Sequence, residues 1–187
     1  YFPAAGDHDI SVVEADGRRA YSNISGLDMY RRLVALVPVS ETDAYVLDIF
    51  RTRGGSVHDW LLHGSADEDM TVHTALPLAP AGTEFAGEQP PKTYALWRNV
   101  RSAHTETGLE LSFEYADDAD RGLRVHLLGS SPTEVYLGET PSVRRAGKGT
   151  QGDNRKILDF WMPHLCARRS GPAPLHSLFA AIEEPFR

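Results

Sequence analysis

Short apolar or alternating runs, each bounded by Gly, Pro, Asp or Asn, recur along the whole of the 187-residue chain. Alternation with a period of two residues is typical of antiparallel strands, and helical periodicity is almost absent. About ten such segments follow one another along the sequence. The pattern therefore predicts an all-β fold with few or no helices, in which two antiparallel sheets pack as a β-sandwich; a barrel is the alternative.

A hairpin is the clearest local prediction. The runs at 30–39 and 43–52 are separated by three polar residues, which is a typical length for a hairpin connection. In the second run Leu47 and Ile49 share one face of the strand, while Asp48 falls in the otherwise apolar row of the other face. Because a buried charge must be paired or hydrogen-bonded, Asp48 is expected to have a polar partner.

The remaining segments predict more strands and two loops. Four runs between residues 93 and 141 predict a meander, in which each strand pairs with the next. The proline-rich residues 77–92 predict an irregular crossing or surface loop, and the Gly-rich, basic residues 142–156 predict a second loop. A final strand is expected in the run that begins at His176.

Charge and cysteine content narrow the possible partners. The formal charge of -7 disfavours nucleic acid, since affinity for phosphate rests on clustered Lys and Arg. Arginine pairs at 51/53, 144/145 and 168/169 are still places where an anionic polymer could bind. The single cysteine, Cys166, excludes an intrachain disulfide and is expected in the core. No run approaches the roughly 20 apolar residues of a membrane helix, so no membrane partner is predicted.

The stretch 51–64, RTRGGSVHDWLLHG, concentrates the candidate chemistry. Residues of the types that coordinate zinc lie in or beside this stretch, namely Asp48, His58, Asp59 and His63. A strand would place the two histidines on opposite faces, so no metal site is predicted. Acid-base catalysis by Asp48 and one histidine is a second interpretation, but such a pair is as often structural. We expect that pair to brace a turn between two strands at Gly54-Gly55. Tryptophans 60, 97 and 161 are candidates either for sugar stacking or for the core.

The order of motifs in residues 30–64 is specific enough to compare with known families. An Arg-led strand precedes a strand with Asp, aliphatic and aromatic residues, then Arg-x-x-Gly-Gly, His-Asp-aromatic and Leu-His-Gly. The elements are Arg31 to Val37, Tyr45 to Phe50, Arg51 with Gly54 and Gly55, His58-Asp59-Trp60, and Leu62-His63-Gly64. A late strand ending in Glu-Pro, with Phe179, Glu184 and Pro185, follows the same pattern. The sequence thus resembles the C-terminal β-rich region of the heparinase II/III-like polysaccharide lyases.

The resemblance implies a larger enzyme. Such lyases combine an N-terminal α/α toroid with C-terminal antiparallel sheets, and they cleave uronic-acid-containing polysaccharides such as glycosaminoglycans by β-elimination. The family's catalytic residues and zinc ligands belong to motifs ahead of the matched region, and none of these motifs occurs in the 187 residues. Residues 1–187 are therefore expected to be one β-sandwich domain of a larger lyase that lacks the toroid. This chain is expected to hold no catalytic residue and no cofactor, and to be inactive alone.

In such a lyase the chain is expected to pack against the toroid and to support one wall of the substrate cleft. The resemblance and the residue types together nominate the side chains that contact the anionic polysaccharide: Arg51, Arg53, His58, Trp60 and His63. Asp48 and Asp59 are expected to be structural polar braces. The parent protein is expected to be bacterial, and secreted or periplasmic. A stand-alone carbohydrate-binding module and a structural module remain the alternatives.

Overall fold

The computed structural model describes residues 10–82, 85, 94–129, 131–147 and 154–187, together with the backbone of residues 2–3. The strands of the first half are β1 (Phe2–Pro3), β2 (Ser11–Asp16), β3 (Met29–Pro38), β4 (Ala44–Arg53), β5 (Val57–His63), β6 (Met70–Thr74) and β7 (Ala79–Pro80). Those of the second half are β8 (Arg98–Thr105), β9 (Gly108–Tyr115), β10 (Asp118–Leu128), β11 (Thr133–Pro141), β12 (Trp161–Ser170) and β13 (His176–Phe186). A short helix, α1 (Val143–Gly147), and 3-10 turns at Arg18–Tyr21 and Asn154–Asp159 complete the described elements.

These strands form two antiparallel sheets that pack together. The larger sheet has eight strands in the order β1-β2-β3-β4-β13-β10-β9-β6. The smaller sheet has five strands in the order β5-β12-β11-β8-β7. The prediction of an all-β antiparallel sandwich is therefore confirmed.

The core lies between the sheets and is filled by alternate residues of each strand, as the pleat requires. Phe50, Phe113 and Phe179 enter it from the larger sheet, while Trp60 and Leu165 enter it from the smaller one. Their exposed fractions are 6% or less. Burial of such large apolar side chains is the main term that stabilises the sandwich.

The hairpin prediction is confirmed, because β3 and β4 pair with Leu33 opposite Ile49. The meander prediction is confirmed only for the pairing of its second and third strands, β9 and β10, in the larger sheet. Its first and fourth strands, β8 and β11, pair with each other in the smaller sheet, so the other two predicted pairings are wrong. Strands of both sheets alternate with the same period, so the local pattern does not reveal where the chain changes sheet.

The two predicted loops are only partly described. Within 77–92 the structure shows β7, while residues 83–84 and 86–92 lie outside the described residues. Within 142–156 it shows α1 and the start of a 3-10 turn, while 148–153 lie outside them. The second segment was predicted to be a loop, and its described residues include a short helix and part of a 3-10 turn.

Candidate functional site: the Gly54-Gly55 crossover and the outer sheet faces

Gly54 and Gly55 carry the chain from β4 in the larger sheet to β5 in the smaller one. Both have positive φ, at 123° and 61°, which glycine adopts without a steric penalty. A Cβ at Gly54 would overlap the carbonyl oxygen of Gly26, whereas one at Gly55 would meet nothing within 4 Å. Gly54 N–H donates to the carbonyl of Leu175, and Leu175 N–H donates to that of Gly55, both at 2.9 Å. The pair thus connects two strands, as predicted, but these strands lie in different sheets, so it forms a pinned crossover.

Asp48 joins the two sheets from the inner face of β4. It is 1% exposed and accepts the indole N–H of Trp60 at 2.9 Å. Arg32 donates to both of its carboxylate oxygens, with Nε–Oδ1 at 2.9 Å and Nη2–Oδ2 at 2.5 Å. Burial raises the pKa of the nearby Glu183, and the negative charge of Asp48 raises it further. The predicted histidine partner of Asp48 is wrong: Trp60 is the residue of β5 that bonds Asp48 across the core, and His58 contacts Gly54 and Ser177 instead.

His58 lies beside the crossover with 8% exposure. Its Nε2–H donates to the carbonyl oxygen of Gly54 at 2.5 Å, because a carbonyl can only accept. Its Nδ1 lies 2.9 Å from the hydroxyl oxygen of Ser177. Both ring nitrogens are therefore used inside the protein, and the two contacts brace β5 against the crossover and β13.

The opposite face of β5 points away from the core and carries Asp59. Arg168 donates to both oxygens of Asp59 at 2.7 Å, and the Tyr94 hydroxyl donates to the same carboxylate. Burial and the Asp59 charge raise the pKa of Tyr94. Beneath them lies Cys166, with 0% exposure and a thiol pKa raised by burial. The prediction that Cys166 is buried is confirmed.

A second apolar cluster covers this outer face of the smaller sheet. Its fully buried members are Tyr94, Trp97, Val100 and Cys166, and Leu61, Ala81, Phe85 and Tyr136 pack against them. Several of these residues precede β8, so the chain itself folds a segment over the sheet. We call this set the covered outer face.

His63 lies at the edge of the covered outer face. Its ring is 5.6 Å from that of His164, measured between centroids. Burial, together with a smaller effect of the charge of His63, lowers the pKa of His164 to about 4. His164 Nδ1 is 3.0 Å from the hydroxyl of Thr140. The pair is arranged so that His164 stays neutral near pH 7.

Arg51 and Arg53 lie on the opposite side of the molecule, on the outer face of β4. Arg51 forms an ion pair with Glu14, and Arg53 Nε lies 3.2 Å from Asp28 Oδ2. The Nε atom of Arg51 is buried without an acceptor in the described part of the chain. These ion pairs are exposed enough to contribute little to stability.

The structure does not bring the nominated substrate residues to one place. His58 and Trp60 lie between the sheets, and Trp60 is 1% exposed. His63 lies on one outer face and the two arginines lie on the other. Contact with a polysaccharide stays a prediction for each of them, and no single surface presents them together.

The outer face of the larger sheet is apolar over three neighbouring strands. Leu33 and Ala180 flank Ile49, and Ala35 and Ile182 flank Leu47. We call this set the bare outer face; its members are Leu33, Ala35, Val37, Tyr45, Leu47, Ile49, Leu178, Ala180 and Ile182. All but Ala35 are partly or largely accessible, and Leu178 is 47% exposed. Sequence reasoning missed this surface, although apolar residues in both alternating rows of β4 are its signal.

Among the described residues, no group of three or more His, Cys, Asp or Glu side chains is placed to hold a metal ion. No helix in the described part of the chain is long and apolar enough to span a membrane. No family model matches this sequence, and no curated protein is significantly similar to it.

Proposed function

We propose that this chain is the β-sandwich portion of a heparinase II/III-like polysaccharide lyase, in which the bare outer face packs against another domain. The observation that carries the proposal is the apolar character of β4 on both of its faces. Phe50 and Asp48 point into the core, while Leu47 and Ile49 point outward in contact with apolar neighbours. An antiparallel sheet that is apolar on both faces is typical of a sheet covered on both sides.

The motif that suggested the family also supports this role. Its residues occupy positions that hold the two sheets together: Gly54 at the crossover, Asp48 against Trp60, and His58 against Ser177. Such residues define a scaffold rather than a reaction centre. A scaffold of this kind supplies a wall or a support for chemistry that other residues perform.

Arginine side chains at one end of the bare outer face favour an anionic substrate. Arg51 and Arg53 lie at one end of this face, with Arg31 directly opposite Arg51 on β3. Each is paired with a partly exposed carboxylate: Arg31 with Asp16, Arg51 with Glu14 and Arg53 with Asp28. A uronate carboxylate is the complementary group for such guanidinium donors. A domain docked on this face would place its own surface beside these arginines.

The polypeptide encoded by the complete gene provides the test. It should contain a helical domain ahead of residue 1 and should release products with the absorbance of an unsaturated uronate from an anionic polysaccharide. Residues 1–187 alone should release none. A complete gene without an upstream helical domain, or an intact protein that yields no unsaturated product from any uronic-acid-containing glycan, would contradict the proposal.

A stand-alone carbohydrate-binding module is the second candidate, and one observation favours it. The guanidinium of Arg98 stacks over the ring of Trp161 at 3.6 Å, and Arg98 also pairs with Glu139 at 2.7 Å. Trp161 is partly exposed, and an aromatic ring beside charged groups is a common platform for sugars. Binding of residues 1–187 to a glycan array, lost on Trp161→Ala, would favour this candidate, and no binding would count against it.

A further inference from the structure

A cavity of about 270 Å³ opens beside the Gly54-Gly55 crossover. Its main side-chain walls are Tyr21, Ile24, Leu27, Tyr30, Phe50 and His58. Tyr21 and Ile24 at its mouth are 41% and 52% exposed, while His58 is buried. A concave, mostly apolar site with a few polar groups is the usual form of a small-molecule site, and this volume lies near the lower end of the usual range.

Aromatic rings run from the mouth of the cavity into the core. The ring centroids of Tyr21 and Tyr30 are 4.9 Å apart, and those of Tyr30 and Phe50 are 5.0 Å apart. Phe50 continues the series to Phe179 at 6.1 Å. The inner rings are fixed by the core, so they present stable flat surfaces to a ligand with an apolar ring face.

The cavity is held open by backbone contacts. Asp28 N–H donates to the carbonyl of Arg53, and Gly17 N–H donates to that of Tyr30, at 2.9 and 2.8 Å. Gly54 packs so closely on Gly26 that no side chain fits between them. These contacts fix both ends of the segment that forms the mouth. A ligand would therefore meet a largely formed site and would lose little free energy in ordering it.

Among the described residues, the lining carries hydroxyl groups but no free charge. Thr52 and Ser25 line the cavity together with the two tyrosines. Asp59 is the one acidic side chain in this described lining, and Arg168 holds its carboxylate on the other face of β5. A charged ligand would lose its hydration here without gaining a counter-ion.

We propose that this cavity binds a small uncharged ring compound that carries hydroxyl groups. Two sources share that chemistry: a neutral hexose unit, whose C–H face stacks on tyrosine, and a phenol. The site is separate from the bare outer face and does not depend on a lyase reaction. Its test therefore uses residues 1–187 alone, and its failure is distinguishable from a failure of the proposed function.

Titration of the ¹⁵N-labelled chain with methyl glucoside, phenol and glucuronate, each at millimolar concentration, tests the proposal. One or both neutral probes should shift the amide signals of Gly54, Gly55 and residues 24–27 in a saturable way, and glucuronate should shift them much less. Binding of methyl glucoside would identify the ligand as a neutral sugar, and binding of phenol would identify it as a phenol. No saturable shift with either neutral probe, or an equal response to glucuronate, would overturn the proposal.

Tyr21→Ala removes one wall at the mouth of the cavity, where the side chain is 41% exposed. It should weaken binding of the responding probe by about tenfold, the size expected for loss of one aromatic stacking contact. Tyr45→Ala is the matched control, since Tyr45 is a partly exposed tyrosine on the bare outer face. Equal affinities for the two variants would overturn the assignment to this cavity.

Discussion

The two outer faces of the sandwich differ in what covers them. On the smaller sheet, Tyr94, Trp97 and Phe85 fold over Cys166 and bury it completely. On the larger sheet, Leu47 and its neighbours form an apolar surface of similar character that stays partly accessible in the described chain. Within the described residues, the chain thus supplies a cover for one apolar outer face and not for the other.

Because of this difference, one outer face contributes to the stability of the folded chain and the other to its association with another domain. Residues of the covered outer face contribute to the folding of the chain, because their burial is complete within it. Residues of the bare outer face contribute little until another surface removes them from water. Substitutions on the covered outer face should therefore lower the free energy of unfolding. Substitutions on the bare outer face should instead weaken contact with the neighbouring domain and leave the free energy of unfolding nearly unchanged.

Gly54→Ala should have the largest effect, because the crossover sets the position of both sheets. The new Cβ would overlap the backbone of Gly26 at a φ of 123°, and the expected loss of unfolding free energy is about 4 kcal/mol or more. Urea unfolding followed by circular dichroism measures it. Gly55→Ala is the control: its φ is 61° and its Cβ site is open, so about 1 kcal/mol is expected. Equal losses for both variants would show that the crossover is not pinned.

Trp97→Ala should open the covered outer face. Trp97 is 4% exposed, and removal of a buried tryptophan side chain costs about 3 kcal/mol or more. The variant should also speed the reaction of the Cys166 thiol with a disulfide reagent in the absence of denaturant. Trp97→Phe is the control, since the indole N–H has no acceptor in the described chain, and it should cost much less. Unchanged thiol reactivity in Trp97→Ala would mean that this segment is not the cover.

Acidification should weaken the same face through His164. Its pKa is lowered from 6.5 to about 4 in the folded chain, so between these values the unfolded chain binds the proton and the folded chain does not. Stability linked to His164 is therefore lost as the pH falls, by about 2 kcal/mol between pH 7 and pH 5. Unfolding of the native chain and of His164→Gln at both pH values measures the difference. If both proteins lose the same free energy, His164 is not the group responsible.

Leu47→Asn should have the smallest effect on folding. Leu47 is partly exposed on the bare outer face, so a change within about 1 kcal/mol is expected in residues 1–187. In the intact polypeptide the same change should weaken contact with the neighbouring domain, detected as faster proteolysis between the domains. A loss of several kcal/mol in the isolated chain would show that this face is already part of its core.

Local patterns were sufficient to predict the strands but not their partners. Alternation in residues 43–52 correctly predicted β4 and its pairing with β3. The same alternation gave no information on sheet membership, so β8 was assigned to a meander and Asp48 to a histidine. Sheet membership depends on contacts between residues far apart in sequence, such as Asp48 with Trp60, which neighbouring residues do not encode.

The sequence predicted some of the polar residues that have structural roles at the candidate site, but it did not predict where the folded chain places them. Asp59 was predicted to be a structural brace, and Arg168 holds its carboxylate; His58 was predicted to contact polysaccharide, and both of its ring nitrogens have partners inside the protein. Their separation onto two faces followed from strand parity. The cavity at the crossover was not predictable, because its walls combine Tyr21 and Tyr30 with residues after Gly54, and only the folded chain brings them together.

Cysteine labelling at position 47 tests the central claim most directly. Leu47→Cys places a thiol on the bare outer face, while the native Cys166 is fully buried. We predict rapid alkylation of the new thiol in residues 1–187 and at least about tenfold slower alkylation in the intact polypeptide, where the neighbouring domain covers it. Equal alkylation rates in the two proteins would contradict the proposal that this face is a docking surface.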